Sequence, residues 1–597
     1  LIVDDLELPQ KLFKTFNKRS YAVGDIEAIL DSDKQFTFKL GVIMYNNKLY
    51  TYYSVKDMFN GVVELGIKKI YFHNLDFDFL FFVKEMDLGN GRIIMSGNMM
   101  LEVVFDKFSF VNSLSILPMS LKKVVVSLLD CEWKSWTNQK DDIFGLSDGE
   151  LEIYCGRDCY LLFSSLYLFF DVILKEFGIR NFLTLPSLAL NIYKKHYVSE
   201  DLFSSSMKKN FFEKDYYFGG HTEKFINDVY YFKNVNYYDV NSLYPSVMRD
   251  LKFGISEPIF ISPSVENLYD LDSRDVCFYS EISIDVDCEA LRFFVKREGS
   301  GNYYKFGICR YKISEVSFRF LVENGYVCKI LEVHSLLYYD DSKYIFRKYV
   351  DDLFVYRKKN NAFNTIFKLL LNSLYGKFGQ KEDIVNIEIN PVDVCLDSCD
   401  KFVQYNNNVV VFNDDFLVGK QLLTLRKDLA GKITEGARVL MHRFRHVCVE
   451  EGFEPIYQDT DSVMVRGSLE DNDRLRKYLC NKTLGLFKRE NDKPLYGYIV
   501  GQKIYALKNE FGESFGASKG VKNFSYDDCR RLSYHVGFRK YVFSDEVCSC
   551  YSVLDNNSPK NDFYNTRFTK FKTLMNGGFF GIQVVPHYIN NVRERLD

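Results

Sequence analysis

In Tyr457-Gln-Asp-Thr-Asp-Ser462 two carboxylates, Asp459 and Asp461, flank one threonine at what reads as the tip of a β-hairpin. Anions this close are tolerable only with cations between them, so the pair points to divalent metals and phosphoryl transfer. A third carboxylate, Asp239, sits near the end of the apolar run Val235 to Val240, the pattern of a buried strand. Beyond it the chain turns, so that Ser242, Leu243 and Tyr244 would present backbone amides and a ring to a phosphate-bearing ligand. A second acidic set lies near the start. Asp25 and Glu27, in Tyr21-Ala-Val-Gly-Asp-Ile-Glu27, are two apart on a predicted strand and so face one way. Asp78 follows Lys69-Ile-Tyr-Phe-His-Asn-Leu-Asp-Phe77, expected as a strand running into a polar tip, with Asp76 facing away from Asp78. Asp158 stands in Tyr154-Cys-Gly-Arg-Asp158, which is expected to open an apolar helix. Oxygen-rich sets of this kind suit two hard divalent ions per site, Mg2+ or Mn2+.

The elements that must carry these groups are partly legible. Lys368, Asn372 and Tyr375 fall at i, i+4 and i+7, which predicts one face of a helix ending near Gly376. Arg357, Lys358 and Lys359, a little earlier, would extend that face or form a solvated cluster. The chain of 597 residues is too long for one core and implies about three to five domains. With 47% hydrophobic and 26% charged residues it is globular throughout, with no Pro- or Gly-rich linker. A net charge of −3 excludes a uniformly basic nucleic-acid binder, while 77 Lys and Arg leave material for a local positive channel. The 14 cysteines include no Cys-x-x-Cys pair, which argues against structural zinc and for reduced thiols. The longest apolar run, Tyr160 to Leu174, is shorter than the roughly 20 residues of a membrane span and is expected as a core helix. The sequence opens on Leu1 rather than Met, so the true start, with any targeting peptide, is expected upstream of it.

Asp239 in Tyr-Asp-Val-Asn-Ser-Leu-Tyr-Pro, the Lys-Leu-Leu-Leu-Asn-Ser-Leu-Tyr-Gly segment and Tyr-Gln-Asp-Thr-Asp-Ser resemble, in order, motifs A, B and C of the family B DNA polymerases. The four upstream carboxylates resemble the Exo I, II and III motifs of proofreading 3′–5′ exonucleases. The resemblance implies an α/β, more narrowly α+β, multidomain fold: an RNase H-like exonuclease domain over 1–195, then a right-hand polymerase domain over 196–597. It implies Asp239 and Asp461 as direct metal ligands with Asp459 in support, and Asp25, Glu27, Asp78 and Asp158 as exonuclease metal ligands with Tyr154 orienting the attacking water. Asn74, Phe77, Ser113 and Leu114 would hold the single-stranded primer end, Phe77 by stacking on a base. Lys134 is a candidate for the family's exonuclease lysine. Tyr244 would be the steric gate against a 2′-hydroxyl. Lys368 would neutralise triphosphate charge, Asn372 and Tyr375 would contact the nucleotide, and Gly376 would admit the template base. Tyr217, Gly219 and Gly220 resemble the Tyr-x-Gly-Gly loop that touches the template. Thr434 and Arg438 resemble a template-binding motif, and Lys503 and Tyr505 the Lys-x-Tyr motif at the primer. Lys519 to Lys522 would add a phosphate contact.

Within family B the chain looks most like the protein-primed branch of phage, adenovirus, mobile-element and mitochondrial linear-plasmid enzymes. The long stretch between motifs A and B carries that likeness. The expected parts are a palm with motifs A and C, an insertion TPR1 at 255–345 that holds the priming protein, fingers at 346–384, an insertion TPR2 at 385–430 and a thumb at 510–597. The implied partners are template-primer DNA, deoxynucleoside triphosphates and a terminal priming protein, with no membrane and a monomeric state. Abundant Phe and Tyr with 11 Pro and 2 Trp suggest an AT-rich genome, hence a mitochondrial linear plasmid or a virus in its host cell. A nucleic-acid primed polymerase, an RNA-copying polymerase and an inactive DNA-binding remnant are the alternatives.

Overall fold

The computed structural model describes residues 21–30, 36–96, 99–129, 146–198, 202, 216–226, 229–298, 301–303, 307–359, 361–380, 384–391, 402–405, 408–412, 426–518, 525–527 and 529–530. They fall into two compact units, each assembled from separate stretches of chain. The first takes the described residues within 21–197 and 352–412; the second takes those within 198–351 and 426–530.

The first unit is built on a ten-stranded mixed sheet. Strand Ala22–Leu30 lies between Phe36–Tyr45, antiparallel, and Lys69–Phe72, parallel, and Lys69–Phe72 pairs in parallel with Ser109–Asn112. Strands Met99–Phe105 and Gly91–Ser96 continue the sheet, and Ile384–Ile389, Asn408–Phe412 and Phe402–Tyr405 extend it at the far edge. The last three come from the segment expected as a second insertion; they join the first unit by backbone pairing, Ile387 opposite Ile93. Asn408 secures the join, its amide donating to the carbonyls of Val83 and Met86 at 2.9 and 2.6 Å.

Helix Asp148–Phe177 covers strands Ala22–Leu30 and Phe36–Tyr45. It starts two turns before Tyr154, because Ser147 and Glu150 form a reciprocal capping box, and it ends at Gly178 in the left-handed region (φ 62°). Most of the apolar run from Tyr160 is buried in this helix, as expected for a core element. Among the described residues no helix is long and apolar enough to cross a membrane. Helix Asn361–Phe378 also belongs to the first unit, with Ile366, Phe367, Leu370, Leu371, Leu374 and Phe378 buried.

The second unit holds an eight-stranded antiparallel sheet. Strand Tyr231–Val240 lies at its centre, between Ser462–Arg466 and Leu495–Gly501, and the strand Glu454–Asp459 separates Ser462–Arg466 from Thr222–Lys224. Helix Lys427–Glu450 packs along it, against helix Leu243–Asp250 and strand Glu454–Asp459. A separate four-stranded sheet, Pro258–Ile261, Ile330–Tyr339, Cys277–Val286 and Gly307–Ser314, falls within the 255–345 segment and has its own apolar core around Phe278, Ile282, Phe318 and Leu336.

Candidate active sites

The first acidic set converges in the first unit. Asp25 and Glu27 share one face of strand Ala22–Leu30, with a register shift immediately after Glu27. Gly24 precedes them because a Cβ there would sit 2.6 Å from the Phe72 ring on the neighbouring parallel strand. Asp78 arrives differently from expectation: it lies on helix Leu75–Glu85, not on a strand. Asn74 caps that helix in the left-handed region (φ 86°), and the aromatic run that follows is buried on several sides, so its alternating pattern carries no strand signal. The helix is what turns Asp76 away. Positions two apart on a strand would share a face, whereas on a helix they diverge by about 200°. Asp76 accepts the Met100 amide at 3.3 Å, and Asp78 accepts the Ile26 amide, between the two strand carboxylates, at 3.1 Å.

Asp158 and Tyr154 come from one face of helix Asp148–Phe177, along with Cys155, whose thiol lies 3.6 Å from Asp25 Oδ2. Ligand atoms of Asp25, Glu27 and Cys155 all lie within 4.8 Å of one another. At an effective dielectric of about 20, unit charges that far apart repel by about 3.5 kcal/mol. Burial and this crowding are felt in the titration. Burial pushes Asp25 up to about 6, against the opposing donors Cys155 and Ile26. Glu27 rises to about 9, from burial and then from Asp25, Asp158 and Asp78. Asp78 and Asp158 are held well above the carboxylate range, again by burial first and by Asp25 next. Burial and Asp158 also raise the Tyr154 hydroxyl. A donor set this rich in negative charge fits a pair of divalent cations.

Around this cluster Asn74 is exposed, and Phe77 and Leu114 are half-buried, Phe77 edge-on to Phe36 and Phe81. Ser113 is fully buried, its hydroxyl committed to the Phe72 carbonyl at 3.0 Å and to His73 Nδ1 at 2.9 Å. Asn112 ties the segment together: its Oδ1 accepts from the amides of Asn74 and Leu114 at 3.3 and 3.0 Å. His73 and Asn112 are the residues that the sequence reading passed over. Their signal is polar side chains at the ends of otherwise apolar strands, where a buried polar group must find a partner. Lys134 lies outside the described residues, as do Lys519 to Lys522.

The second set gathers in the second unit. Asp239 is opposite Ser462 on the central strand pair, one residue from Asp461, and the Val240 amide donates to the Asp461 carbonyl at 2.8 Å. Asp459, Thr460 and Asp461 do form the hairpin tip, with Thr460 at φ 59°, a costly conformation for a β-branched residue. The His221 carbonyl stabilises it by accepting the Thr460 amide at 2.8 Å, and Gly220 makes room: a Cβ there would lie 2.5 Å from Thr460 Cγ2. Asp459 is held by Lys503, whose Nζ reaches both carboxylate oxygens at 2.6 Å, and by Thr222, whose hydroxyl donates at 3.0 Å. Lys503 is itself positioned by its amide, which donates to the buried Tyr457 hydroxyl at 2.9 Å, and Tyr505 packs 5.4 Å from the Tyr457 ring.

Beyond motif A, Ser242 takes the left-handed conformation (φ 58°) and caps helix Leu243–Asp250, leaving the first amides of that helix outside its hydrogen-bond ladder. Leu243 is buried and Tyr244 half-buried. Asn241, absent from the sequence reading, fixes this turn: its amide nitrogen donates to the carbonyls of Cys480 and Thr483 at 2.7 and 3.2 Å, and its backbone pairs with Gly485 and Leu486.

Thr434 and Arg438 are both buried in helix Lys427–Glu450. Thr434 donates to the Gly431 carbonyl at 3.0 Å. Arg438 Nη1 donates to the carbonyls of Phe218 and Gly219 at 3.2 and 3.1 Å, so this arginine holds the Tyr217–Gly220 loop. Tyr217 is half-buried and Gly219 exposed. In the first unit, Lys368 and Asn372 are exposed on helix Asn361–Phe378, opposite its buried face, with Tyr375 and Gly376 half-buried beside them. A Cβ on Gly376 would meet nothing within 4 Å.

The sequence matches the profile of DNA polymerase type B, organellar and viral, over residues 133–424. A probable DNA polymerase of Podospora anserina is 28% identical over 423 residues, covering 63% of this chain and 33% of that protein. The DNA-directed DNA polymerase of Enterobacteria phage PRD1 is 25% identical, over 73% of both chains. Thus the chain spans only a third of the fungal relative. Among solved structures, Phi29 DNA polymerase complexed with primer-template DNA and incoming nucleotide has a TM-score of 0.62 and 16% identity, covering 89% of this chain and 97% of that one. The fold is therefore the mixed α/β fold expected from the motifs.

Proposed function

We propose that this chain, similar in sequence and fold to the protein-primed branch of the family B DNA polymerases, is a DNA-directed DNA polymerase with a separate 3′–5′ proofreading exonuclease. The observation that carries the reading is the presence of two separate carboxylate sets: Asp25 and Glu27 on a strand with Asp78 and Asp158 on two helices in the first unit, and Asp239, Asp459 and Asp461 on adjacent strands and their hairpin tip in the second.

Asp239 and Asp461 would hold a pair of divalent ions in the polymerase site. When bound, these ions activate the primer 3′-hydroxyl and offset charge on the departing pyrophosphate. Lys503 and Thr222 keep Asp459 in place beside them. The start of helix Leu243–Asp250 offers the Leu243 and Tyr244 amides and the positive end of the helix dipole to the class of ligand that helix N-termini favour, the triphosphate. Tyr244 stands as the gate against a 2′-hydroxyl, and Lys368, Asn372, Tyr375 and Gly376 serve the nucleotide and the nascent pair. In the exonuclease, Asn74, Phe77 and Leu114 receive the single strand, Ser113 and Asn112 position them, and Tyr154 orients water. The likeness to polymerases of the organellar and viral type favours priming by a protein; a linear plasmid in a mitochondrion or a virus in its host cell is the setting this reading proposes.

The test sets extension of a DNA primer beside transfer of a deoxynucleotide to a protein hydroxyl, both with purified chain and Mg2+. Lys343, exposed in the 255–345 segment, is the probe: Lys343→Glu should weaken initiation on protein and spare extension. Origin initiation without any protein primer would make the enzyme nucleic-acid primed, and failure of metal-dependent extension would reduce the chain to a DNA-binding remnant.

A further inference from the structure

The hairpin tip that carries Asp459 and Asp461 leans on the last strand of its sheet. Strand Thr222–Lys224 lies at the sheet edge, with Thr222 opposite Asp459, Glu223 opposite Gln458 and Lys224 opposite Tyr457. It fixes the tip twice: the Thr222 hydroxyl donates to Asp459, and one residue earlier the His221 carbonyl accepts the Thr460 amide. An edge strand has ladder partners on one side only, so a strand of three residues needs a further hold. Side chains alternate across a strand, so Thr222 faces the carboxylates and Glu223 points to the opposite side of the sheet. There one carboxylate oxygen of Glu223 accepts from His221 Nε2 at 2.7 Å and the other from Arg292 Nη2. His221 is buried, and the Glu223 and Arg292 side chains are only 13% and 15% exposed. Burial first, then Arg445, Arg438 and Arg292, hold the His221 ring well below its ordinary value, so it is neutral and donates through Nε2–H.

Arg292 is mounted elsewhere in the same unit. It directly follows the turn Glu289–Leu291 in the 255–345 segment, and its neighbours Leu291, Phe293 and Phe294 are buried in that segment's own apolar core. Val439 of helix Lys427–Glu450 belongs to the same core, and the Phe293 ring lies 5.2 Å from the His442 ring of that helix. The guanidinium therefore reaches Glu223 from a packed base. We propose that Arg292 and Glu223 are positioning residues of the polymerase site: their ion pair clamps strand Thr222–Lys224 from behind and so sets the placement of Asp459 and of the Thr460 turn. Removing one partner leaves the other charge poorly solvated. Glu223 without Arg292 gains most by turning toward water, and that motion draws the edge strand off the hairpin tip.

The inference rests on the polymerase reading of this site. Its test uses the whole chain with Mg2+, a DNA primer-template and deoxynucleotides. Arg292→Met and Glu223→Gln should each lower kcat for extension by about tenfold and raise the Mg2+ needed for half-maximal rate, with KM for the deoxynucleotide within about twofold of native. The two changes together should cost no more than the worse one alone, because they remove a single interaction. Arg292→Lys should recover most of the rate, and degradation of single strands should not change. A double variant whose loss is the product of the two single losses would make the residues independent, and a loss confined to KM would make them substrate contacts; either overturns the proposal. So would native kcat and a native Mg2+ titration in Glu223→Gln, which decides alone if Arg292→Met does not fold. If the native chain extends no primer, the polymerase reading falls, and the clamp is read instead by Mn2+ binding, followed by electron paramagnetic resonance in a chain carrying Asp25→Ala and Glu27→Ala. Mn2+ binding about tenfold weaker on adding Glu223→Gln supports the clamp, and equal binding refutes it.

Discussion

The two acidic sites solve the same electrostatic problem in different ways. In the second unit Asp459 is tethered by a lysine ammonium and a threonine hydroxyl, so one of its three carboxylates carries its own counter-charge. In the first unit four carboxyls crowd together with a backbone amide, a thiol and the half-exposed Arg157 as their polar relief, and burial lifts them toward the neutral form. The difference shows that a carboxylate set can be kept in shape either by a resident cation or by protonation. The second of these makes the native state most favoured at low pH, with the advantage lost as the carboxyls ionise.

The sharpest way to break the comparison is to remove one site at a time. Asp461→Asn should lower primer extension by on the order of 10³-fold or more and leave degradation of single strands intact, and Asp25→Ala with Glu27→Ala should do the reverse. Loss of both activities from either change, in a protein that still melts cooperatively, would merge the two sites into one. Next in size is Lys503→Ala. Freed of its ammonium, Asp459 should lose its fixed position, and extension should fall by about 10- to 100-fold with a raised Mg2+ requirement, while the exonuclease is unmoved. An unchanged Mg2+ titration would show that the lysine serves DNA alone.

A smaller effect should appear in stability. Asp25 and Glu27 titrate in the fold at about 6 and about 9 against ordinary values of 3.8 and 4.5. Folded values above unfolded ones favour the native state fully below about pH 4, and the advantage is lost as pH rises through the folded values. Melting of the chelated protein should therefore weaken from about pH 4 to about pH 9. Asp25→Asn with Glu27→Gln should flatten that slope, and added Mg2+ should restore stability at the alkaline end. A profile identical in the variant would place the pH sensitivity elsewhere. Smallest is Gly376→Ala: an added methyl meets open space inside a helix, so stability should rise, by up to about 1 kcal/mol. A loss of extension in that stable variant would then report on the template base, and full activity would remove Gly376 from the nucleotide site.

Much of both sites is legible in the sequence because it depends on short-range geometry. Alternation places Asp25 and Glu27 together on a strand, one residue between two aspartates makes a hairpin tip, and helical spacing puts Lys368 and Asn372 on one face. These features need only the local backbone period. Asp78 was misread as strand because the alternating Phe and Asp residues carry a period of two, while the tertiary environment buries that segment on several sides and the left-handed Asn74 starts a helix. The partners of the carboxylates were not legible at all. Lys503 meets Asp459 across 44 positions and Cys155 meets Asp25 across 130, and no local pattern marks which lysine or which of many cysteines will arrive there.

The sequence by itself determined which acids are present, their order and the local elements that carry them, because side-chain type and backbone period are properties of a few adjacent residues. Tertiary structure alone decided that Arg438 is buried against the Phe218 and Gly219 carbonyls, that strands between 384 and 412 complete a sheet begun at residue 22, and that a sulfur stands beside Asp25. Each of these is a pairing between distant segments, set by which buried hydrogen-bonding groups and apolar faces must be satisfied once the whole chain has closed.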